Sequence, residues 1–125
     1  KLVLLYGEPH CYKIEDFVVF VGKNNKQNDY LTTKASKKDD VWFHVKDFHG
    51  SHVILKTEGR TPSTSVLEKC ASLAAYYSKA RQSSNVPVDF CPVSHVKKPS
   101  GSKPGMVIYT GYQTLYVEPK IEVET

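Results

Sequence analysis

Cysteine and methionine are both scarce in this sequence. The three cysteines, Cys11, Cys70 and Cys91, lie far apart. An odd number of cysteines without paired spacing argues against a disulfide framework and against a structural zinc site. We therefore expect reduced thiols, a cytoplasmic location and no cofactor. The only methionine is Met106 and the chain starts at Lys1, so we expect a piece of a larger protein.

Long apolar runs and catalytic signatures are also missing. No apolar stretch approaches the roughly 20 residues that span a bilayer, and no signal peptide is visible, so we expect no membrane partner. The sequence has no nucleophile elbow, dinucleotide fingerprint or zincin motif, and no carboxylate pair with an obvious division of labour. We therefore expect a binding module and not an enzyme.

The composition is that of one soluble domain. The chain has 125 residues, of which 40% are hydrophobic and 24% charged. We expect a single domain over residues 1–125, with a loose leading segment at 1–11 and an acidic tail at 119–125. The net charge of +4 is modest, but lysines cluster in two segments, which suggests a local anionic partner.

The pattern of apolar residues predicts an α+β fold, in which an antiparallel or mixed sheet packs against one long helix, with a short additional helix. The long helix should start at Thr61–Pro62–Ser63, with a hydroxyl cap and an early proline, and run to about Arg81. The short helix is predicted at Asn28–Ser36. Strands are predicted at Phe17–Val21, Val41–Val45, Ser51–Leu55, Val88–Cys91, Met106–Tyr109 and Leu115–Val117.

The clearest local prediction is a hairpin formed by Val41–Val45 and Ser51–Leu55. If Val45 pairs with Ser51, alternation separates two faces. One face then carries Val41, Phe43, Val45, Val53 and Leu55. The other carries Trp42, His44, His52 and Ile54, with His44 directly opposite His52.

The first candidate site is the amide-rich segment Gly22–Thr32. Amides can read base edges or sugar hydroxyls and lysines meet phosphate, so the segment suits RNA. The alternative is a polar turn in which Asn24 or Asn25 adopts a left-handed conformation and Asn28 caps a helix. The candidate RNA contacts are Lys23, Asn24, Asn25, Lys26, Gln27 and Asn28.

The second candidate is the loop Val96–Gly105, which reads VKKPSGSKPG. Its prolines fix the backbone path, its glycines permit close approach, and Lys97, Lys98 and Lys103 supply charge for a phosphate backbone. The glycine and lysine spacing excludes a nucleotide P-loop. The alternative is a solvated loop with ordinary surface lysines.

The third candidate is the segment from Trp42 to His52. Trp42, His44 and His52 could form a stacking surface for unpaired bases. They could instead be buried, with Trp42 packed under the long helix. A metal site at Asp47 and the histidines is a third interpretation, which matches no known zinc spacing.

Four segments together resemble one family. They occur in the order VGKNNKQNDYLT, DVWFHVKDFHGSHVIL, AAYYSKAR and VKKPSGSKPGMVIY. In that combination the chain resembles the NFACT-R domain, the C-terminal RNA-binding module of the NFACT proteins, which include bacterial RqcH. The resemblance runs from about Tyr12 to Pro119.

The resemblance implies a role in cytoplasmic ribosome quality control. Full-length family members bind large ribosomal subunits obstructed by a nascent chain and its tRNA, and promote C-terminal tailing of that chain. It implies large-subunit rRNA or tRNA as the partner of this module. It implies no catalytic residue here, because the tRNA-selecting residues belong to another domain. Some relatives are called fibronectin-binding proteins, so a surface adhesin that binds fibronectin is the alternative.

Overall fold

A six-stranded antiparallel sheet forms the centre of the fold in this computed structural model, which describes residues 7–123. The strand order across the sheet is β1-β2-β4-β3-β5-β8, and β6 pairs with β7 in a separate ribbon. The strands are β1 (His10–Ile14), β2 (Phe17–Val21), β3 (Val41–Val45), β4 (Val53–Lys56), β5 (Val86–Pro92), β6 (Val96–Lys97), β7 (Ile108–Tyr109) and β8 (Gln113–Val117). The helices are α1 (Asn25–Thr33), α2 (Thr64–Tyr76) and a short 3-10 helix at Val93–His95. The α+β prediction is confirmed.

The central hairpin has the predicted register. Phe43 pairs with Val53 and Trp42 with Ile54, which is the register that places His44 opposite His52. The rings of His44 and His52 lie 5.6 Å apart, centroid to centroid. The prediction assumed that Val45 pairs with Ser51, and alternation supports it because a slip of one residue would move every apolar side chain to the wrong face.

Helix α2 covers one face of the sheet. Ser63 caps the helix, since its side chain accepts a hydrogen bond from the amide of Val66. Val66, Cys70 and Leu73 are buried against sheet residues that include Phe43. Full burial of such a side chain stabilises the fold by roughly 1.5–3 kcal/mol.

The opposite face of the sheet is covered by α1, the 3-10 helix and the β6–β7 ribbon. Leu31 of α1 and Cys91 of β5 form a second cluster with Trp42 and Ile54. The ring of Trp42 lies 4.6 Å from that of Tyr109, centroid to centroid. The idea that Trp42 packs under the long helix is therefore wrong: the tryptophan is buried, but on the other face.

The first strand and both α-helices differ from their predicted bounds. Strand β1 includes His10 and Cys11, which were predicted to belong to the loose leading segment; residues 1–6 of that segment lie outside the described part. Helix α1 spans Asn25–Thr33 and not Asn28–Ser36, because Asn24 supplies the cap. Helix α2 ends at Tyr76, short of Arg81, and Pro62 lies before the cap and not within the first turn.

The later strands were predicted with shifted ends. Strand β4 spans Val53–Lys56 and not Ser51–Leu55, and β5 is longer than Val88–Cys91 and includes Pro87. Strand β7 is shorter than Met106–Tyr109, and β8 starts at Gln113. No helix within residues 7–123 is long and apolar enough to cross a membrane.

Candidate nucleic-acid interface

The link between β2 and α1 depends on a close contact at Gly22. A Cβ atom at this position would lie 1.9 Å from Oδ1 of Asn28, so only glycine fits. The same Oδ1 accepts a hydrogen bond from the backbone amide of His52, 3.1 Å away. Asn28 is buried and ties α1 to the residue that precedes β4, so this predicted RNA contact has a structural role.

The first turn of α1 is held by its own amides. Oδ1 of Asn24 accepts from the backbone amide of Gln27 at 2.9 Å, and Oε1 of Gln27 accepts from the backbone amide of Lys23 at 2.8 Å. Gln27 is buried, whereas Lys23 and Lys26 are exposed. The segment thus contains a helix cap, but the cap is Asn24 and not the predicted Asn28, and neither Asn24 nor Asn25 is left-handed. The exposed lysines Lys23 and Lys26 stay candidates for phosphate contact.

The loop Val96–Gly105 is anchored on α1 by one carboxylate. Oδ1 of Asp29 lies 3.0 Å from Nζ of Lys98 and accepts from the amide of Gly105 at 3.0 Å. Burial opposes ionisation of Asp29, but the Gly105 amide and the Lys98 ammonium outweigh it and lower the pKa of the carboxyl. The anchor brings the two predicted basic segments onto one face.

Lys98 is committed to this anchor. Besides Asp29, its ammonium donates to the backbone oxygen and hydroxyl of Ser102 and to the backbone oxygen of Lys103 at 2.7–3.2 Å. It therefore shapes the loop. Lys97 and Lys103 are exposed and remain candidates for phosphate contact.

Trp42 and His52 do not form an open stacking surface. Their exposed fractions are 0% and 2%. His52 shares a hydrogen bond of 2.7 Å between Nδ1 and Oγ1 of Thr32, and burial, with the nearby His44, lowers its pKa to about 3. His44 is half-buried, and burial lowers its pKa as well. The rings support the interface from beneath.

Two adjoining clefts run along the face where the basic segments meet. The first, of about 390 Å³, is lined by Lys23, Lys79 and Arg81 among others. The second, of about 690 Å³, is lined by Lys103 and the hairpin residues. Asn25 and His49 line both clefts and connect them. None of the described residues that line either cleft is acidic, so the face suits a polyanion.

Lys79 and Arg81 were missed as site residues because the sequence placed them within the helix. In the structure the chain leaves α2 after Tyr76 and bonds to the hairpin. The amide of Ser51 donates to the Tyr77 carbonyl, and the amide of Lys79 donates to the His49 carbonyl, each at 2.9 Å. This return toward the hairpin places the two cations at the first cleft.

The metal interpretation of the hairpin finds no geometric counterpart. Within the described residues there is no group of three or more His, Cys, Asp or Glu side chains placed to hold a metal ion.

Comparison with known families gives a match over most of the chain. The model of the family described as "NFACT protein RNA binding domain" matches residues 9–115.

Individual relatives agree with this match. The chain is 48% identical over 118 residues to the Rqc2 homolog RqcH of Bacillus subtilis, covering 90% of this chain and 20% of that protein. It is 51% identical over 102 residues to the Rqc2 homolog RqcH of Streptococcus suis, covering 82% of this chain and 18% of that protein. It therefore spans about a fifth of the length of these relatives.

A solved structure has the same fold. It is the C-terminal part of the fibronectin/fibrinogen-binding protein from Streptococcus suis, with a TM-score of 0.85 and 48% sequence identity. The alignment covers 90% of this chain and 46% of the solved one.

Proposed function

Since the chain belongs to the family of NFACT RNA-binding domains, we propose that it binds RNA along the joined clefts described above. The observation that carries this proposal is the Asp29 anchor, which holds the loop Val96–Gly105 against α1. It places two basic segments beside clefts whose described lining residues include no acidic side chain.

The chemistry of the face supports contact with a phosphate backbone. Lys23, Lys79 and Arg81 lie at one end and Lys103 at the other. Lysine and arginine bind phosphate oxygens, while exposed amides such as that of Asn25 can bind sugar hydroxyls or base edges. Helix α1 also starts at this face, and the positive end of its dipole favours an anion.

We further propose that the parent protein acts in ribosome quality control, as the name RqcH of its relatives suggests. In this role the domain contacts large-subunit rRNA or tRNA on an obstructed subunit in the cytoplasm. The domain itself acts as a binding module and not as an enzyme. It is small and only mildly basic, so linkage to the rest of the parent protein raises its effective concentration at the ribosome.

The proposal is tested by removing two cations from the face. The variant Lys23→Ala/Lys103→Ala removes one exposed lysine from each cleft. Binding to a tRNA and to a structured rRNA fragment is measured at several salt concentrations. Each lost phosphate contact should reduce the slope of log affinity against log salt by about 0.7–1.

A matched control removes equal charge elsewhere. Lys13 lies on β1 and Lys120 beside the α2 face, and both are well exposed. The variant Lys13→Ala/Lys120→Ala should keep the parent's affinity and salt slope. Equal losses in the two double variants would reduce the proposal to general charge attraction, and no loss in either would refute it.

Fibronectin binding is a second candidate, favoured by the name of the Streptococcus suis protein whose structure resembles this chain. Binding of the purified domain to immobilised fibronectin, after nuclease treatment and at moderate salt, measures it directly. Saturable binding that survives the Lys23→Ala/Lys103→Ala change would support a separate protein-binding surface. Absence of binding removes this candidate.

A further inference from the structure

The second cleft has an apolar rim within a basic surrounding. It lies between the β3–β4 hairpin and the loop Val96–Gly105, and its volume of about 690 Å³ is in the range of small-ligand sites. Phe48 and Met106 line it and are 46% and 59% exposed. An exposed apolar patch that is rimmed by polar residues is typical of a ligand-binding groove.

The inner wall of the cleft is aromatic. Trp42 and His44 are stacked with centroids 5.7 Å apart and planes 8° from parallel, and Tyr109 packs against the tryptophan. These three rings line the cleft together with the two rim residues. Trp42 is fully buried, so the ring surface open to an occupant is that of the partly exposed His44 and Tyr109, together with Phe48. A flat apolar group suits this surface, because offset and edge contacts between rings are favourable.

One buried donor at this wall has no acceptor. Nε1 of Trp42 is the one buried side-chain nitrogen or oxygen without a hydrogen-bond partner in the described part of the chain. Buried tryptophan N–H groups usually have a partner. Because Trp42 is 0% exposed, an acceptor on an occupant reaches this group only if the surrounding rings move on binding.

The lysines around the cleft indicate that its occupant carries negative charge. Lys103 lines the cleft, and Lys23 lines the adjoining one. A flat heterocycle with acceptors, attached to an anionic chain, is a nucleobase on its phosphate backbone. Recognition of single-stranded RNA by stacking on exposed aromatic side chains has this form.

We propose that the second cleft receives one unstacked base of the bound RNA, with Phe48 and Met106 against the base and Lys103 near its phosphate. This inference rests on the proposed RNA-binding function. It adds to that function a defined subsite that contacts a base, whereas the salt-dependent contacts involve only the backbone.

Binding in the cleft can be followed by tryptophan fluorescence. Trp42 is the only tryptophan of the chain, and it lies in the wall of this cleft. The chain is titrated with a short RNA hairpin that has a flexible single-stranded loop. Parallel titrations use versions in which one loop nucleotide at a time is abasic. We expect the intact hairpin to cause a saturable change in tryptophan fluorescence. With the base removed at one loop position, this fluorescence change should disappear and binding should weaken by about 5- to 100-fold.

A pair of variants isolates the rim. Phe48→Ser should weaken binding of the intact hairpin by a similar factor without changing the salt slope, because it removes no charge. Tyr116, which is 63% exposed on the edge strand β8 beside α2, provides the matched control. Tyr116→Ser should leave both affinity and fluorescence response unchanged.

The outcomes separate the two proposals. Suppose that the domain binds RNA with a normal salt slope, but that neither Phe48→Ser nor any abasic position weakens binding. This result would overturn the base subsite and leave the RNA-binding function intact. Failure of the parent chain to bind any of the RNAs would overturn both. Equal losses in the Phe48→Ser and Tyr116→Ser variants would also overturn the subsite.

Discussion

The stability of this domain should fall in mild acid because of His52. Its imidazole is 2% exposed, and burial, together with the nearby His44, lowers its pKa from 6.5 to about 3. The folded protein therefore resists protonation at this ring down to about pH 3, whereas the unfolded chain takes up the proton near pH 6.5. Between these values the unfolded state binds more protons, so the free energy of unfolding decreases as the pH falls.

The size of the effect follows from this difference. One such group contributes a slope of about 1.4 kcal/mol per pH unit well below pH 6.5. At pH 5.5 the loss relative to pH 8 is about 1.4 kcal/mol, which is a sizeable part of the roughly 5–15 kcal/mol typical of a small domain. Burial also lowers the pKa of His44 and of His10, and both changes act in the same direction.

The assay is urea unfolding followed by circular dichroism between pH 8 and pH 5.5. With a urea dependence of about 1–3 kcal/mol per molar, the midpoint should drop by roughly 0.5–1.4 M. The variant His52→Asn keeps a polar group near Oγ1 of Thr32 but cannot titrate, so its midpoint should change less with pH. His49→Asn, at an exposed imidazole, is the control and should behave as the parent does. If His52→Asn and the parent lose equal stability over this range, the reasoning is refuted.

Three further predictions concern the bonds that shape the interface. Gly22→Ala should destabilise the fold by about 1–3 kcal/mol in urea unfolding, because the added Cβ would lie 1.9 Å from Oδ1 of Asn28; an unchanged midpoint would contradict the crowding. Asn24→Ala should cost about 1 kcal/mol by removing the α1 cap, while Asn24→Ser should retain most of the stability. Asp29→Asn weakens the acceptor for Lys98 and for the Gly105 amide, so hydrogen exchange of the Gly105 amide should become faster. The His52 amide, which donates to Asn28, is the control and should exchange at an unchanged rate.

The central hairpin was predictable because its information is local. Alternation of apolar and polar residues from Val41 to Leu55 fixes which side chains share a face, and the register follows from one pairing. The alternation of apolar and polar residues does not indicate which helix packs on which face of the sheet. The partner of Trp42 was therefore assigned to the long helix, when it is Tyr109 and the smaller cluster around Leu31.

Two of the missed boundaries have different causes. Strand β1 was missed although its partner β2 is its neighbour in sequence, because β1 is an edge strand with one fully buried residue, Ile14, and its apolar pattern is therefore weak. Helix α2 ends without a local breaker: no proline or glycine follows Tyr76 at once. Its end coincides with bonds from the 77–79 segment to the hairpin, which a reading of helical period cannot anticipate.

The sequence also did not show which polar side chains of the candidate interface are available to bind RNA. Composition singled out two lysine-rich segments, which the structure places beside each other, but it could not separate lysines that are exposed from lysines that are bonded within the protein. Gln27, Asn28 and Lys98 have the right chemistry for RNA and use it within the protein. A polar side chain is available to a ligand only if the fold leaves it unsatisfied, and that depends on three-dimensional partners.

Some polar side chains of the interface are hydrogen-bonded within the protein and others are exposed, so RNA affinity and folding stability can be changed separately. The residues that hold the face together, such as Asp29 and Asn28, lie in hydrogen bonds between elements, so changing them alters shape and stability together. The exposed lysines Lys23 and Lys103 contribute little to folding, because exposed charges interact weakly with the rest of the protein. Substitution of these lysines should therefore reduce RNA affinity at constant stability. Substitution of the anchors should reduce stability first and affinity as a consequence.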